Sequence, residues 1–155
     1  MLMRDRHKIP ITILICDDDA ADRELTQQAL EDAHISNRLR FVENGAQLLD
    51  YLYQRGEYSG ETGSAPRPGL VLIDLDMPVM DGREALRHIK ADATLLDIPI
   101  VMLTTSPWEA RAVESDQLGV NSFITKPVTF FDLVGAMSAL GRYWLEIVEL
   151  PPVAA

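Results

Sequence analysis

A doubly wound α/β fold is what this sequence predicts, on three observations. Five short runs rich in β-branched residues alternate with five segments of helical apolar spacing, so strand and helix follow one another along the chain. Three of the five runs are too apolar for a sheet with one wet face, which requires helices on both sides. Turn and capping residues stand at the junctions, and five βα units in succession wind into a parallel sheet.

In order, "ITILIC" (11–16) is the first strand, and a helix near 20–34 follows its "CDDD" ending. The second strand, "RLRFV" (38–42), leads into a helix over 45–54. Next comes "QRGEYSGETGSAPRPG" (54–69), rich in Gly, Ser and Pro. It reads as a surface loop that lengthens the second helix by a turn, and Tyr51, Tyr53 and Tyr58 are placed to pack it down. "LVLID" (70–74) is the third strand; Asp81 and Glu84 open a helix over 82–92 whose Ala85, Leu86 and Ile89 share a face. "IPIVMLT" (98–104) is the fourth strand, and Ser106, Pro107 and Glu109 set a cap before a helix over 107–118. "NSFIT" (121–125) is the fifth strand. Thr129 with Asp132, and Val128 with Leu133 as a hydrophobic staple, then start a last helix over 130–148, which gives way to a tail at Pro151-Pro152.

The chain has 155 residues, the length of one domain, and 47% hydrophobic residues supply a real core. With 24 Asp and Glu against 14 Lys and Arg, a formal charge of −10 argues against non-specific binding to nucleic acid or to an anionic membrane. The single cysteine, Cys16, excludes an internal disulfide and reads as a small buried hydrophobe. No segment reaches the roughly 20 apolar residues that span a bilayer, and no signal peptide is legible, so a cytoplasmic protein is expected. His7, His34 and His88 share no metal-ligand spacing, and His88 reads as exposed on the third helix.

In a doubly wound sheet, sites form beyond the carboxyl ends of the strands. Here those ends carry Asp17, Asp18 and Asp19 after the first strand, Asp74 on the third, Thr104 and Thr105 on the fourth, and Lys126-Pro127 after the fifth. Each has a bland reading taken singly: acids after a strand cap helices, and a lysine before proline is ordinary loop chemistry. Together, clustered carboxylates raise one another's pKa unless a cation sits among them, and oxygen donors few in number suit Mg²⁺. A carboxylate beside Mg²⁺ and facing a lysine is a plausible nucleophile towards phosphorus, which makes Asp74 the candidate acceptor.

The motifs "ILICDDD", "LIDLDMPVMDG", "VMLTTS" and "FITKP" resemble, in order, spacing and strand context, the receiver domain of two-component response regulators over residues 9–142. The resemblance implies a single domain with a five-stranded parallel sheet in flavodoxin-like order 2-1-3-4-5 and five helices, preceded by an extension (1–8) and followed by a tail (143–155). It implies that Asp74 is the phospho-acceptor, that Asp18 ligates Mg²⁺ directly, that Asp17 holds it through water, and that the Asp76 backbone carbonyl completes the protein ligands. It further implies that Thr104 bonds the phosphoryl group, that Lys126 pairs with it across a cis peptide to Pro127, and that Phe123 is the aromatic partner of Thr104 in the switch. Such a protein assists its own phosphorylation and is a signalling protein rather than a turnover enzyme. The Asp76 side chain departs from the commoner uncharged or basic residue and adds negative charge near the site.

Within that family the chain is most similar to stand-alone receivers that partner phytochrome-type light-sensing histidine kinases. The loop before the third strand, "LTTS" with "VNSFITKP", and the terminal "YWLEIVELP" carry that likeness. A chemotaxis-type receiver that binds another target protein is the alternative. "LIDLDMP" also fits part of the motif of haloacid-dehalogenase-type phosphatases, although that motif needs Thr or Val where Pro78 stands, and a degenerate receiver used for docking is a third reading. Leu133, Met137, Leu140, Trp144 and Ile147 step by four, three, four and three, while Val134, Leu145 and Val148 add a second apolar surface. One helix on one sheet needs one stripe. The excess predicts a homodimer built on Leu133, Met137, Leu140, Trp144, Leu145, Ile147 and Val148, with a tail folded back over its own domain as the alternative.

Overall fold

The computed structural model describes residues 11–35, 37–60, 65–74, 82–104, 122–127 and 129–142. Five strands are formed: β1 (Thr12–Cys16), β2 (Arg38–Val42), β3 (Leu70–Asp74), β4 (Ile100–Thr104) and β5 (Ser122–Thr125). They make one sheet with every pair parallel, as the sequence predicts, in the order β2-β1-β3-β4-β5 that the resemblance implies. Four α-helices lie among the described residues: α1 (Ala20–Asp32), α2 (Gly45–Tyr53), α3 (Gly82–Lys90) and α4 (Phe130–Leu140). The helix expected over 107–118, the extension 1–8 and the tail 143–155 lie outside the described residues.

The period-two geometry of a strand divides the core in two. Leu14, Cys16, Val71, Ile73, Ile100 and Met102 face one way, onto Leu48, Leu49 and Tyr51 of α2 and Ala85, Leu86 and Ile89 of α3. Ile13, Ile15, Leu70, Leu72, Val101 and Leu103 face the other way, onto Ala29 and Leu30 of α1 and Met137 and Leu140 of α4. Both faces are dry, which is why β1, β3 and β4 are buried at every position and read as continuous apolar runs. β2 is an edge strand, and its first residue, Arg38, is exposed.

Helix starts follow local chemistry. Asp19 Oδ1 accepts from Asp22 N at 3.0 Å, Asn44 Oδ1 from Gln47 N at 2.8 Å, and Thr129 Oγ1 from Asp132 N at 3.1 Å, each satisfying an orphan donor of a first turn. The cap expected at Thr129 is therefore present, while Val128 and Asp81 lie outside the described residues. His88 is exposed on α3, as expected.

Three expectations need correction. The 54–69 segment does not lengthen α2: Gln54 enters the left-handed region at φ 54° and stops the helix, Gly56 follows at φ 62°, and a separate 3₁₀ turn spans Gly56–Tyr58. Met137 and Leu140, expected to face a second protomer, are 0% and 4% exposed, because α1 and the sheet of the same chain already cover them. Leu133 is partly buried against the same cluster, and Trp144, Leu145, Ile147 and Val148 lie outside the described residues. The peptide from Lys126 to Pro127 is trans, the isomer that even a prolyl amide prefers.

Candidate functional site

The carboxyl ends of β1, β3, β4 and β5 meet at one rim, and the sheet register sets their heights. Asp74, the last residue of β3, is paired with Leu103, one residue before Thr104, and Thr104 is paired with Thr125, one residue before Lys126. Lys126 extends the β5 ladder by donating its backbone N–H to Thr104 O at 2.7 Å. Its side chain then reaches back along the rim, where Nζ donates to Asp74 Oδ2 at 2.9 Å. Asp74 and Thr104 are both buried.

Asp17 follows directly on β1 and continues its pairing with β2, donating its N–H to Val42 O at 3.0 Å. The side chain is 1% exposed. Its Oδ1 accepts from Asp19 N at 3.0 Å, but its Oδ2 is buried without any hydrogen-bond partner, 3.7 Å from Lys126 Nζ. A buried carboxylate oxygen left in that state is costly, so the geometry invites a cation. Carboxylate oxygens of Asp17, Asp18 and Asp74 lie within 4.8 Å of one another, with Asp18 exposed to solvent. An all-oxygen set with an open, solvated side suits a hard divalent cation that keeps part of its water.

The electrostatics agree with that reading. Burial pushes the Asp17 carboxyl up to about 6; the Asp19 N–H and the Lys126 ammonium oppose the shift, while the charges of Asp74 and Asp22 add to it. Burial alone would lower Lys126, yet the hydrogen bond and charge of Asp74, followed by Asp17 and Asp22, outweigh it and leave the ammonium raised. Lys126 is thus a firmly charged cation held among acids.

Two residues at this rim were not anticipated from the sequence. Asp22, in the first turn of α1, has Oδ2 3.7 Å from Lys126 Nζ. Arg23 donates Nη1 to Asp17 O at 2.8 Å and sets Nη2 3.7 Å from Glu43 Oε1, tying the β1 exit to the β2 exit. The available signal was position: both sit in the first turn of the helix that leaves "CDDD". Of the anticipated residues, Asp17, Asp18, Asp74, Thr104 and Lys126 come together at the rim. Asp76 lies outside the described residues, and for Phe123 the described feature is its backbone, paired with Met102.

Comparison with known proteins gives a consistent picture. The family model for the response regulator receiver domain matches residues 13–138. Response regulator Rcp1 of Synechocystis sp. is 38% identical over 149 residues, covering 96% of this chain and 99% of that protein. The crystal structure of the phosphorylated cyanobacterial phytochrome response regulator RcpA is 37% identical, with a TM-score of 0.82 over 93% of this chain and all of that one. The Mn²⁺-bound form of Rcp1 gives a TM-score of 0.80 at 38% identity, over 92% of this chain and all of that one. The bacteriophytochrome response regulator RtBRR gives 0.75 at 41% identity, over 93% of this chain and 86% of that one.

Proposed function

This chain belongs to the response regulator receiver family, and from that premise we propose that it is a phosphorylation switch in which Asp74 accepts a phosphoryl group from a phytochrome-type sensor histidine kinase. Two-component signalling is the family's business, and the haloacid-dehalogenase-type phosphatase reading is set aside with it. The likeness to RcpA, Rcp1 and RtBRR along nearly the whole chain favours the phytochrome-linked reading over the chemotaxis-type one, with output through protein contact in the cytoplasm.

The observation that carries the proposal is the pairing of Lys126 Nζ with Asp74 Oδ2 beside the unpartnered, buried Asp17 Oδ2. An Asp74 oxygen forms the new bond to phosphorus while the bond from phosphorus to the donor imidazole nitrogen breaks. The electron pair stays on that nitrogen, which leaves as neutral imidazole when the other ring nitrogen carries the proton. Asp17, Asp18 and Asp74 would hold Mg²⁺ through their side chains and Asp76 through its backbone carbonyl. An ion held there would supply positive charge to offset that of the phosphoryl oxygens. Lys126 turns from the carboxylate to a phosphoryl oxygen, and the Thr104 hydroxyl donates to another, with Phe123 as the aromatic that follows Thr104 in the switch.

A homodimer through the chain beyond residue 142 belongs to the same reading. Trp144 and Ile147 continue the apolar stripe, Leu145 and Val148 add to the second apolar surface, and α4 presents Phe131 at 85% exposure.

Intact-mass spectrometry of wild type and Asp74→Asn after incubation with Mg²⁺ and acetyl phosphate tests the acceptor. One added phosphoryl group in the wild type, absent in D74N and absent when EDTA replaces Mg²⁺, is the expected result. Continuous release of phosphate without an adduct would overturn it.

A further inference from the structure

Lys126 is shared by three carboxylates: Asp74 Oδ2 at 2.9 Å, and Asp17 Oδ2 and Asp22 Oδ2 at 3.7 Å each. Asp74 and Asp17 have places in the proposed transfer; Asp22 has none. A first-turn acid is favoured by the helix dipole, but that accounts for its position and not for a carboxylate turned onto a lysine from the far end of the chain. Capping does not occupy it either, since in the α1 cap Asp22 contributes its backbone N–H and Asp19 the carboxylate. Its side chain is 47% exposed, against 21% for Lys126, so it stands at the open mouth of the rim.

We propose that Asp22 is a positioning residue that holds Lys126 towards α1 in the unphosphorylated protein and competes for it with the phosphoryl group on Asp74. The inference rests on the phosphorylation of Asp74 proposed above. When the acyl phosphate forms, the lysine must give its hydrogen bond to a phosphoryl oxygen. A carboxylate already in reach of the ammonium reduces what that exchange gains and so lowers the population and the lifetime of the phosphorylated form. Asn at position 22 keeps the size of the side chain and the N–H that is capped by Asp19, while removing the competing charge.

The experiment follows phosphoryl uptake from acetyl phosphate and Mg²⁺ by intact mass, then decay after the donor is removed, for wild type, Asp22→Asn and Asp22→Glu, at low salt and at about 0.5 M KCl, where the Debye length falls to roughly 4 Å. Positioning through Lys126 predicts for D22N uptake faster and decay slower by about threefold each, the size of a contact weakened by partial exposure, with D22E behaving as wild type. Decay has no encounter with an anionic donor. A change confined to uptake and abolished by salt would make Asp22 a fringe charge that repels the donor and would overturn the inference. Unchanged rates in D22N, with its thermal melt matching the wild type, would overturn it equally. Absence of uptake in the wild type would strike the acceptor reading itself, whereas normal wild-type uptake with an indifferent D22N strikes only the role of Asp22.

Discussion

The carboxyl rim of the sheet and the 54–69 connection are both places where polar groups are drawn out of water, yet they treat those groups differently. In the connection the bonds close on themselves. Tyr51 Oη donates to Pro66 O at 2.8 Å, Gln54 Nε2 donates to Ala65 O at 2.9 Å, and the Tyr51 and Tyr58 rings meet edge to face at 5.2 Å. At the rim one carboxylate oxygen is buried without a partner, and a single ammonium serves three acids. Among the described residues of the connection, no buried side-chain donor or acceptor is left without a partner. On the proposed reading, a rim that takes up a cation and a phosphoryl group leaves Asp17 Oδ2 under-satisfied until those arrive.

The sharpest way to break this contrast is to remove the ammonium. Lys126→Ala leaves Asp17 and Asp74 buried side by side without their cation, and should cost about 2 to 4 kcal/mol in metal-free buffer. Denaturant melts should show Mg²⁺ recovering part of that loss. If Lys126→Ala melts like the wild type, the rim is not under electrostatic tension.

Asp17→Asn acts in the opposite direction. Because the folded carboxyl is raised to about 6 from an ordinary 3.8, the folded state keeps its proton while the unfolded chain ionises. Metal-free stability should therefore fall as pH rises from about 4 to 6, and at neutral pH the deficit is on the order of 3 kcal/mol. Asp17→Asn should flatten that slope, raise the metal-free melting temperature and abolish the stabilisation by Mg²⁺. Urea midpoints across pH 4–8, with EDTA and with Mg²⁺, measure all three.

On the connection, Tyr51→Phe keeps the ring contact and loses the bond to Pro66 O, for about 1 kcal/mol, with no change in phosphoryl uptake. Gly56→Ala places a side chain at φ 62° in ordinary van der Waals contact with Asp50, whose Oδ2 would stand 3.5 Å away, so only the backbone preference of about 1 kcal/mol is lost. An effect of either on uptake would show that the two regions are coupled.

What the sequence made legible divides along the same line. The strands could be read because burial on both faces forces continuous apolar runs, and the cap at Thr129 because a cap is settled within four residues. The meeting of Asp17, Asp74, Thr104 and Lys126 followed from the rule that sites gather at carboxyl strand ends. Asp22 and Arg23 escaped because nothing within their own helix turn reveals which distant groups they meet. Met137 and Leu140 were assigned to a partner for a related reason: periodicity identifies an apolar stripe, and says nothing of which surface covers it. Gly69 escaped as well, since its need arises across the fold, where a Cβ would stand 2.6 Å from Ile11 Cβ and Cγ2.

The thiol of Cys16 offers a use beyond packing. It is the chain's one sulfhydryl, lies at the end of a strand with neighbours on both sides, and is 0% exposed. Burial, helped by the charges of Asp17, Asp74 and Asp18, pushes its ionisation far above the ordinary thiol range. An alkylating reagent can reach it when β1 parts from its neighbours, so the rate of labelling is a stopwatch for whole-molecule opening. Run with and without phosphoryl donor, that one reaction would record how tightly the occupied rim locks the sheet, with no probe introduced into the protein.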